Sequence, residues 1–155
     1  MRLLFYASLI IFSSSLNAQH LFSYQLEQAN ADANNCKAFY EFMKTRKNES
    51  SVAKGYFALS VMMQAKLYKN PFTKLSFFNK GKSILEETIL ANPNVAELRF
   101  LRFSVQNEIP AILLYFNDID SDKKMLDNYY LDKNEDQLTE LISKYYRLKD
   151  FDFPI

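Results

Sequence analysis

The sequence predicts an all-α fold: a single domain of about six or seven antiparallel helices in a repeat-like array. Glycine is scarce, since only Gly55 and Gly81 occur in 155 residues. Folds made of short strands need many turns rich in glycine and proline, so an all-β fold is disfavoured. The breaks in the chain are instead Asn-Pro pairs and single prolines, which are typical of helices that begin at a proline or stop before one.

The first 18 residues are predicted to be a secretory signal peptide. Arg2 gives a positive start, the uncharged apolar run 3–12 follows, and small polar residues lead to a cleavage position at Ala18. The apolar run is about half as long as the roughly 20 residues of a membrane-spanning helix. We therefore expect residues 19–155 to form one helical domain that is exported to the periplasm or the cell exterior, without stable insertion in a membrane. An uncleaved anchor is the alternative.

Between the breaks, apolar residues recur at helical spacing, which predicts seven helices. Their expected ranges are 24–46, 51–68, 71–91, 94–107, 110–116, 121–131 and 134–147. The breaks before the third and fourth are Asn-Pro pairs, in which asparagine caps the following helix or ends the preceding one. The fourth helix opens with Asn94 and Glu97 at the spacing of a capping box.

The third helix shows the clearest pattern. One face is expected to carry its apolar and small side chains, while Glu86 and Glu87 point away from that face. Gly81 lies in the centre of the face, where glycine costs about 1 kcal/mol of helix propensity relative to alanine. We expect a neighbouring helix to approach closely at this position. The residues of the face are Phe77, Phe78, Gly81, Ile84, Leu85 and Thr88.

A short motif in this region consists of Gly81, Leu85, Thr88 and Pro93. Its order of a small residue, a large apolar residue, a second small residue and a proline resembles the second helix of a tetratricopeptide repeat. The resemblance implies a helical hairpin of the kind that presents a concave surface to a partner. It covers one hairpin, because no second copy follows at the family's period of about 34 residues.

A longer series of short motifs runs from about residue 56 to residue 126. In chain order the motifs are AK, NP, KLxxF, GK, LE, PNxxE, RFLR and DK. Together they resemble a group of uncharacterised exported helical proteins of Bacteroidota-type bacteria. The resemblance implies an exported helical domain, and it implies no activity.

Charge and composition argue against several functional classes. The chain has 19 basic and 18 acidic residues, and loss of Arg2 with the signal peptide would balance them. Nucleic-acid binders usually carry a strong basic excess, so this class is not expected. The only histidine, His20, lies beside the predicted mature N-terminus, and two isolated glycines form no phosphate-binding loop. We therefore predict a protein that is not an enzyme and needs no metal or cofactor, although a site made of carboxylates alone stays open.

Two other features have structural interpretations. Cys36 is the only cysteine, so an intramolecular disulfide is excluded. We expect its thiol to be buried on a helix face, with a reactive thiol or a bridge to another chain as alternatives. The acidic run 118–122 lacks the glycine and glutamate of a calcium-binding loop, because Lys123 and Tyr129 stand at those positions. Its polar side chains are instead expected to cap the next helix.

Arg99 and Arg102 are the strongest candidates for a binding site. They occur in an otherwise apolar run, and at about 100° per residue they share a narrow polar stripe with Gln106, flanked by Phe103. Burying a cation is costly unless the cation is paired. Three arrangements stay open: contact with water along the stripe, ion pairs with acids of an adjacent helix or of the 118–122 run, or a cleft that binds a carboxylate or phosphate.

We expect the protein to be a non-catalytic interaction module that binds a protein partner outside the cytoplasm. The alternative is a periplasmic binding protein for a small apolar or anionic ligand, held by the arginines and by aromatic side chains of the middle third. Core packing is the simpler interpretation of those aromatics. An open groove with an exposed tyrosine would favour the first function, and an enclosed aromatic pocket would favour the second. The aromatics are Phe72, Phe77, Phe78, Phe100, Phe103, Tyr115 and Phe116.

Overall fold

The computed structural model describes residues 21–23, 25–132 and 136–154. Helices and loops account for all of these residues, and no strand occurs among them, so the all-α prediction is confirmed. Helix α1 comprises residues 21–23 and 25–29. The remaining helices are α2 Ala33–Arg46, α3 Ser51–Met63, α4 Pro71–Ala91, α5 Ala96–Glu108, α6 Ile119–Leu131 and α7 Gln137–Lys149, with 3-10 helices at Gln64–Leu67 and Ala111–Leu113. The predicted signal peptide, residues 1–18, lies outside the described residues.

Short polar side chains cap the N-termini of four helices. The side chains of Asp32, Ser50, Asn70 and Asp136 accept hydrogen bonds from backbone N–H groups in the first turns of α2, α3, α4 and α7. These caps satisfy amides that have no partner within the helix. At α4 the cap is the asparagine of an Asn-Pro pair, as the sequence predicts.

Two predicted helices are wrong in extent. The chain predicted as one helix over 24–46 is interrupted at residues 30–32, where Asp32 restarts it as α2. The predicted helix over 110–116 is reduced to a single 3-10 turn, which ends at Leu114 in the left-handed conformation with φ 48°. A strong local cap explains the first difference. In the second, the left-handed residue prevents the turn from continuing as a helix.

Two predicted caps are also wrong. The first residue before α5 is Val95, and it makes no side-chain capping bond, so the expected capping box does not form. Helix α6 begins earlier than expected, at Ile119, and Asp118 makes no side-chain cap either. Instead, the hydroxyl of Ser121 donates to the carbonyl of Asp118 at 3.0 Å.

The chain divides into two compact units, and the division falls within α4 after Gly81. In the N-terminal unit, α2 packs against α3, and both contact the 3-10 helix Gln64–Leu67. In the C-terminal unit, α5 packs against α6, and α6 contacts α7. That residues 19–155 behave as one domain, and that the array is repeat-like, stay predictions. No helix in the described part of the chain is long and apolar enough to cross a membrane.

Helix α4 passes very close to α3 at Gly81, as the sequence predicts. A Cβ atom at this position would lie 2.6 Å from the carbonyl oxygen of Ala58 and 2.9 Å from the backbone nitrogen of Met62. Both neighbours are backbone atoms of α3 and cannot move aside without shifting the helix. Glycine is therefore required by the close approach, which offsets its poor helix propensity.

Candidate functional site

The two arginines of α5 belong to a buried ion-pair cluster with an aspartate of α6. Asp122 accepts hydrogen bonds at 2.7 Å from both Nε and Nη2 of Arg102, and at 3.2 Å from Nη1 of Arg99. The side chains of Arg102 and Asp122 are 4% and 1% exposed. Of the three arrangements open at the sequence level, the structure therefore shows ion pairs with the acidic run 118–122.

Further acceptors take up the remaining nitrogens of both guanidinium groups. Nη1 of Arg102 donates to Glu86 at 2.9 Å and lies 3.4 Å from a carboxylate oxygen of Asp118. Nε and Nη2 of Arg99 donate to the backbone carbonyl of Pro93 at 3.3 and 3.2 Å. Every nitrogen of each guanidinium has a partner, so neither arginine presents an open fork to a ligand.

Electrostatics keep Arg102 charged in spite of its burial. Burial alone would lower the pKa of Arg102, because it penalises the charged form. The hydrogen bond to Asp122 and the charges of Asp122, Glu86 and Asp118 outweigh that penalty and raise the pKa above its ordinary value. The guanidinium group of Arg102 therefore stays charged within the cluster.

Glu86 and Tyr115 complete the cluster. The hydroxyl of Tyr115 donates to one carboxylate oxygen of Glu86, and the other oxygen accepts from Arg102. Burial raises the pKa of Tyr115, and the hydrogen bond to Glu86 raises it further. The ammonium group of Lys82 lies 4.5 Å from the centre of the Tyr115 ring. Glu86 was expected to point away from the packed side of α4, and its partners show that this expectation is wrong.

The other two predicted site residues are also buried. Phe103 is fully buried, and its ring centre lies 5.5 Å from that of Phe151 and 6.2 Å from that of Tyr146. Gln106 is 5% exposed, and neither polar atom of its side chain hydrogen-bonds with a described residue. The predicted polar stripe is therefore packed within the C-terminal unit and does not line a cleft.

An open groove of about 690 Å³ lies in the N-terminal unit. Its walls come from three parts of the chain: one face of α2, the 3-10 helix with the residue after it, and the first turns of α4. The side chains that give it chemical character are Lys37, Tyr40, Gln64, Lys66, Tyr68 and Phe77.

Aromatic rings supply the apolar surface of the groove. Tyr68 and Phe77 stack with ring centres 5.0 Å apart and planes 15° apart, and Tyr68 is 42% exposed. Tyr40 is half-buried and leans on Phe57 at 6.0 Å. These contacts hold the rings in fixed orientations. A ligand that packs on them therefore costs little side-chain conformational entropy.

Polar groups of the groove have spare hydrogen-bonding capacity. The exposed ammonium group of Lys37 makes no ion pair or hydrogen bond with a described residue, and that of Lys66 donates to Asn30 at 2.8 Å. Gln64 is buried and donates through Nε2 to the carbonyls of Cys36 and Ser60, while its Oε1 accepts from none of the described residues. The groove thus offers two ammonium groups and one amide oxygen.

Cys36 is on α2, the helix that contributes one wall of the groove. Its thiol is free and buried, and it donates a hydrogen bond to the carbonyl of Met63 at 3.4 Å. Burial raises its pKa, and the charge of Lys66 opposes that change only in part. A thiol with a raised pKa is a poor nucleophile at neutral pH. The burial of Cys36 on a helix face agrees with its sequence interpretation.

The described residues thus contain one packed charge cluster and one open aromatic groove. No protein-family model, curated protein or solved structure matches the chain. Among these features, the groove is the one whose side chains are free to contact a ligand.

Sequence reasoning did not identify this groove. Of its aromatic residues, only Phe77 belonged to the group considered for a binding surface. Lys37 and Tyr40 share a face of α2 at i and i+3, but such a pair is common on the surface of any helix. Their proximity to Tyr68 and Phe77 depends on how α2, the 3-10 helix and α4 pack, and no short motif encodes that packing.

Proposed function

We propose that the protein is an exported, non-catalytic interaction module whose N-terminal groove binds an extended segment of a partner protein. The observation that supports this most directly is the open groove in which Tyr68 stacks on Phe77 and stays 42% exposed. Aromatic-lined grooves that are open to solvent are a recurring means of peptide recognition.

The form of the groove favours a chain that passes through it. Sites for small molecules usually enclose most of the ligand surface, whereas this groove is partly open to solvent. An extended peptide places side chains against the aromatic faces and presents backbone N–H groups. Oε1 of Gln64 can accept from one of these groups, since its Nε2 already serves as a donor within the protein.

The arginine cluster has a structural role within the C-terminal unit. Its carboxylates and guanidinium groups satisfy each other, and a ligand would have to displace a bidentate pair of 2.7 Å hydrogen bonds. Such a displacement is costly because it leaves buried charges unpaired. A cleft in which Arg99 and Arg102 bind a ligand, one of the three arrangements that the sequence left open, is therefore not part of the proposal.

A second candidate function is the binding of a small anionic ligand in the same groove. The ammonium groups of Lys37 and Lys66 favour this alternative, because both line the groove and neither is paired with a carboxylate of a described residue. Aromatic faces would hold the apolar part of such a ligand.

Selection from a library of unstructured random peptides tests the proposal. Wild-type protein is compared with Tyr68→Ala and with Phe72→Ala, a matched control whose ring is 81% exposed and does not line the groove. We expect peptides that bind the wild type and Phe72→Ala and fail to bind Tyr68→Ala. The second candidate would replace the first if no peptide is enriched and small carboxylates raise the melting temperature of the wild type but not of Tyr68→Ala.

Export has an independent test. Signal peptidase cleavage after Ala18 would leave Gln19 as the first residue. N-terminal sequencing of protein recovered from the periplasm or the medium is expected to begin near Gln19. Recovered protein that begins at Met1 would contradict cleavage of a signal peptide and leave the groove proposal unaffected.

A further inference from the structure

The charges of the groove indicate the chemistry of the segment that it binds, and this inference rests on the proposed function. Two ammonium groups, those of Lys37 and Lys66, line the groove together with one carboxylate, that of Glu41. Glu41 already has a cationic neighbour, since its Oε2 lies 3.6 Å from Nζ of Lys44. The groove therefore has an excess of positive charge that no described carboxylate balances.

The two ammonium groups come from two elements of the groove wall that contact each other. Lys37 is in the second turn of α2, and Lys66 is in the 3-10 helix Gln64–Leu67, which packs on α2. Nζ of Lys66 donates at 2.8 Å to the side-chain oxygen of Asn30, two residues before the cap of α2. This hydrogen bond brings the ammonium group of Lys66 to the end of α2 from which Lys37 is one to two turns away.

Aromatic rings line the same groove. Tyr40 lies on α2, close to Lys37 in the chain, and Tyr68 follows the 3-10 helix that carries Lys66. The ring of Tyr68 stacks on that of Phe77 in the second turn of α4. A bound segment can therefore contact an ammonium group and a ring face at neighbouring positions. Flat faces select planar or broad apolar side chains, and unpaired ammonium groups select a carboxylate.

We propose that the groove binds an extended segment in which an aromatic side chain is close to a carboxylate. The ring packs on the stack of Tyr68 and Phe77, the carboxylate pairs with Lys37 and Lys66, and a backbone N–H of the segment donates to Oε1 of Gln64. The carboxylate is that of an aspartate or glutamate within the segment.

Four unlabelled octapeptides test this proposal by isothermal titration calorimetry on the mature full-length chain, at peptide concentrations up to the millimolar range. The reference peptide has one phenylalanine and one aspartate two residues apart in a glycine-serine background, with an amidated C-terminus. In the second peptide asparagine replaces the aspartate, and in the third alanine replaces the phenylalanine. The fourth has no aspartate and ends in phenylalanine with a free carboxylate.

We expect the reference peptide to bind about threefold to fivefold more tightly than the asparagine peptide, which is the contribution of a partly exposed ion pair. Lys37→Gln should reduce this ratio to nearly one. Lys54→Gln is the matched control, because Lys54 is exposed on α3 and does not line the groove, and it should keep the ratio. The alanine peptide should bind more weakly than either.

The outcomes separate this inference from the proposed function. Tighter binding of the fourth peptide than of the reference peptide would overturn the inference, because the groove would then select a C-terminal carboxylate. Equal binding of the aspartate and asparagine peptides, with both lost in Tyr68→Ala, would overturn the inference and leave the groove as a peptide site. Absence of binding by all four peptides, together with an unsuccessful random-library selection, would overturn both.

Discussion

Asp122 accepts two parallel hydrogen bonds of 2.7 Å from Arg102, and both side chains are almost fully buried. The pair connects the first turn of α6 to the middle of α5. A bidentate geometry of this kind fixes both the distance and the rotation between two helices. The presence of Arg102 in an otherwise apolar stretch of the sequence is therefore explained by helix packing within the C-terminal unit.

Arg102→Met should lower the free energy of unfolding by about 3–5 kcal/mol, because it leaves the buried carboxylate of Asp122 without its main partner. Methionine retains an apolar side chain of similar length, so the decrease in the free energy of unfolding measures the contribution of the guanidinium charge and its hydrogen bonds. Arg99→Met is the matched comparison, since Arg99 is 21% exposed and Asp122 keeps Arg102. It should cost at most about 1 kcal/mol. Urea denaturation of both variants measures the difference, and two equal, small losses would contradict a structural role for the cluster.

Tyr115 is expected to make the free energy of unfolding decrease with rising pH in the alkaline range. The pKa of Tyr115 in the folded protein is raised above the ordinary value of 10.0 by burial and by Glu86. Above pH 10 the unfolded chain loses this proton and the folded protein keeps it, so the stabilisation is complete below pH 10 and falls as pH rises. The slope for one such group is about 1.4 kcal/mol per pH unit. Denaturation between pH 9 and 11 should show Tyr115→Phe losing stability less steeply than the wild type; identical slopes would contradict the assignment.

Gly81→Ala should destabilise the protein although alanine favours helices by about 1 kcal/mol. The added methyl group would lie 2.6 Å from the carbonyl oxygen of Ala58, so α3 and α4 must move apart. We expect a net loss of about 1–3 kcal/mol in denaturant unfolding. Ser76→Ala, at an exposed position of the same helix, should be neutral or slightly stabilising. A gain of stability for both variants would mean that the two helices are not in close contact at Gly81.

Gln106→Met should raise the free energy of unfolding. The amide of Gln106 is buried, and among the described residues neither its oxygen nor its nitrogen has a hydrogen-bond partner. Methionine has a similar volume and removes the unsatisfied polar atoms, a change worth about 1 kcal/mol or more. Thermal unfolding provides the measurement. A lower melting temperature would show that the amide has a partner in solution.

The helix that the sequence predicts best is one whose start is marked by local capping and proline signals. Helix α4 has its predicted bounds because Asn70 and Pro71 set its start through the side chain and the fixed φ of proline. The segment 110–116 has the apolar composition of a helix, yet Leu114 adopts a left-handed conformation that no local propensity favours. Tertiary contacts decide that conformation, among them the hydrogen bond from the neighbouring Tyr115 to Glu86.

The arginine cluster and the groove also differ in how far the sequence predicts them. The polar stripe of Arg99, Arg102 and Gln106 follows from helical periodicity, and pairing with the 118–122 run was among the expected arrangements. Which acid would pair could not be predicted, because Glu86 was assigned to the opposite side of α4 and the start of α6 was placed too late. The groove depends on three elements that meet only in the folded protein, so no spacing in the sequence indicated it.

The most direct test of the central claim is a residue-resolved NMR titration of ¹⁵N-labelled mature protein with the aromatic, aspartate-containing octapeptide. We expect the largest changes in amide chemical shift at the residues that line the groove, namely Lys37, Tyr40, Gln64, Tyr68 and Phe77. Changes concentrated instead at Arg99, Arg102 and Asp122 would contradict this claim, because they would make the arginine cluster the binding site.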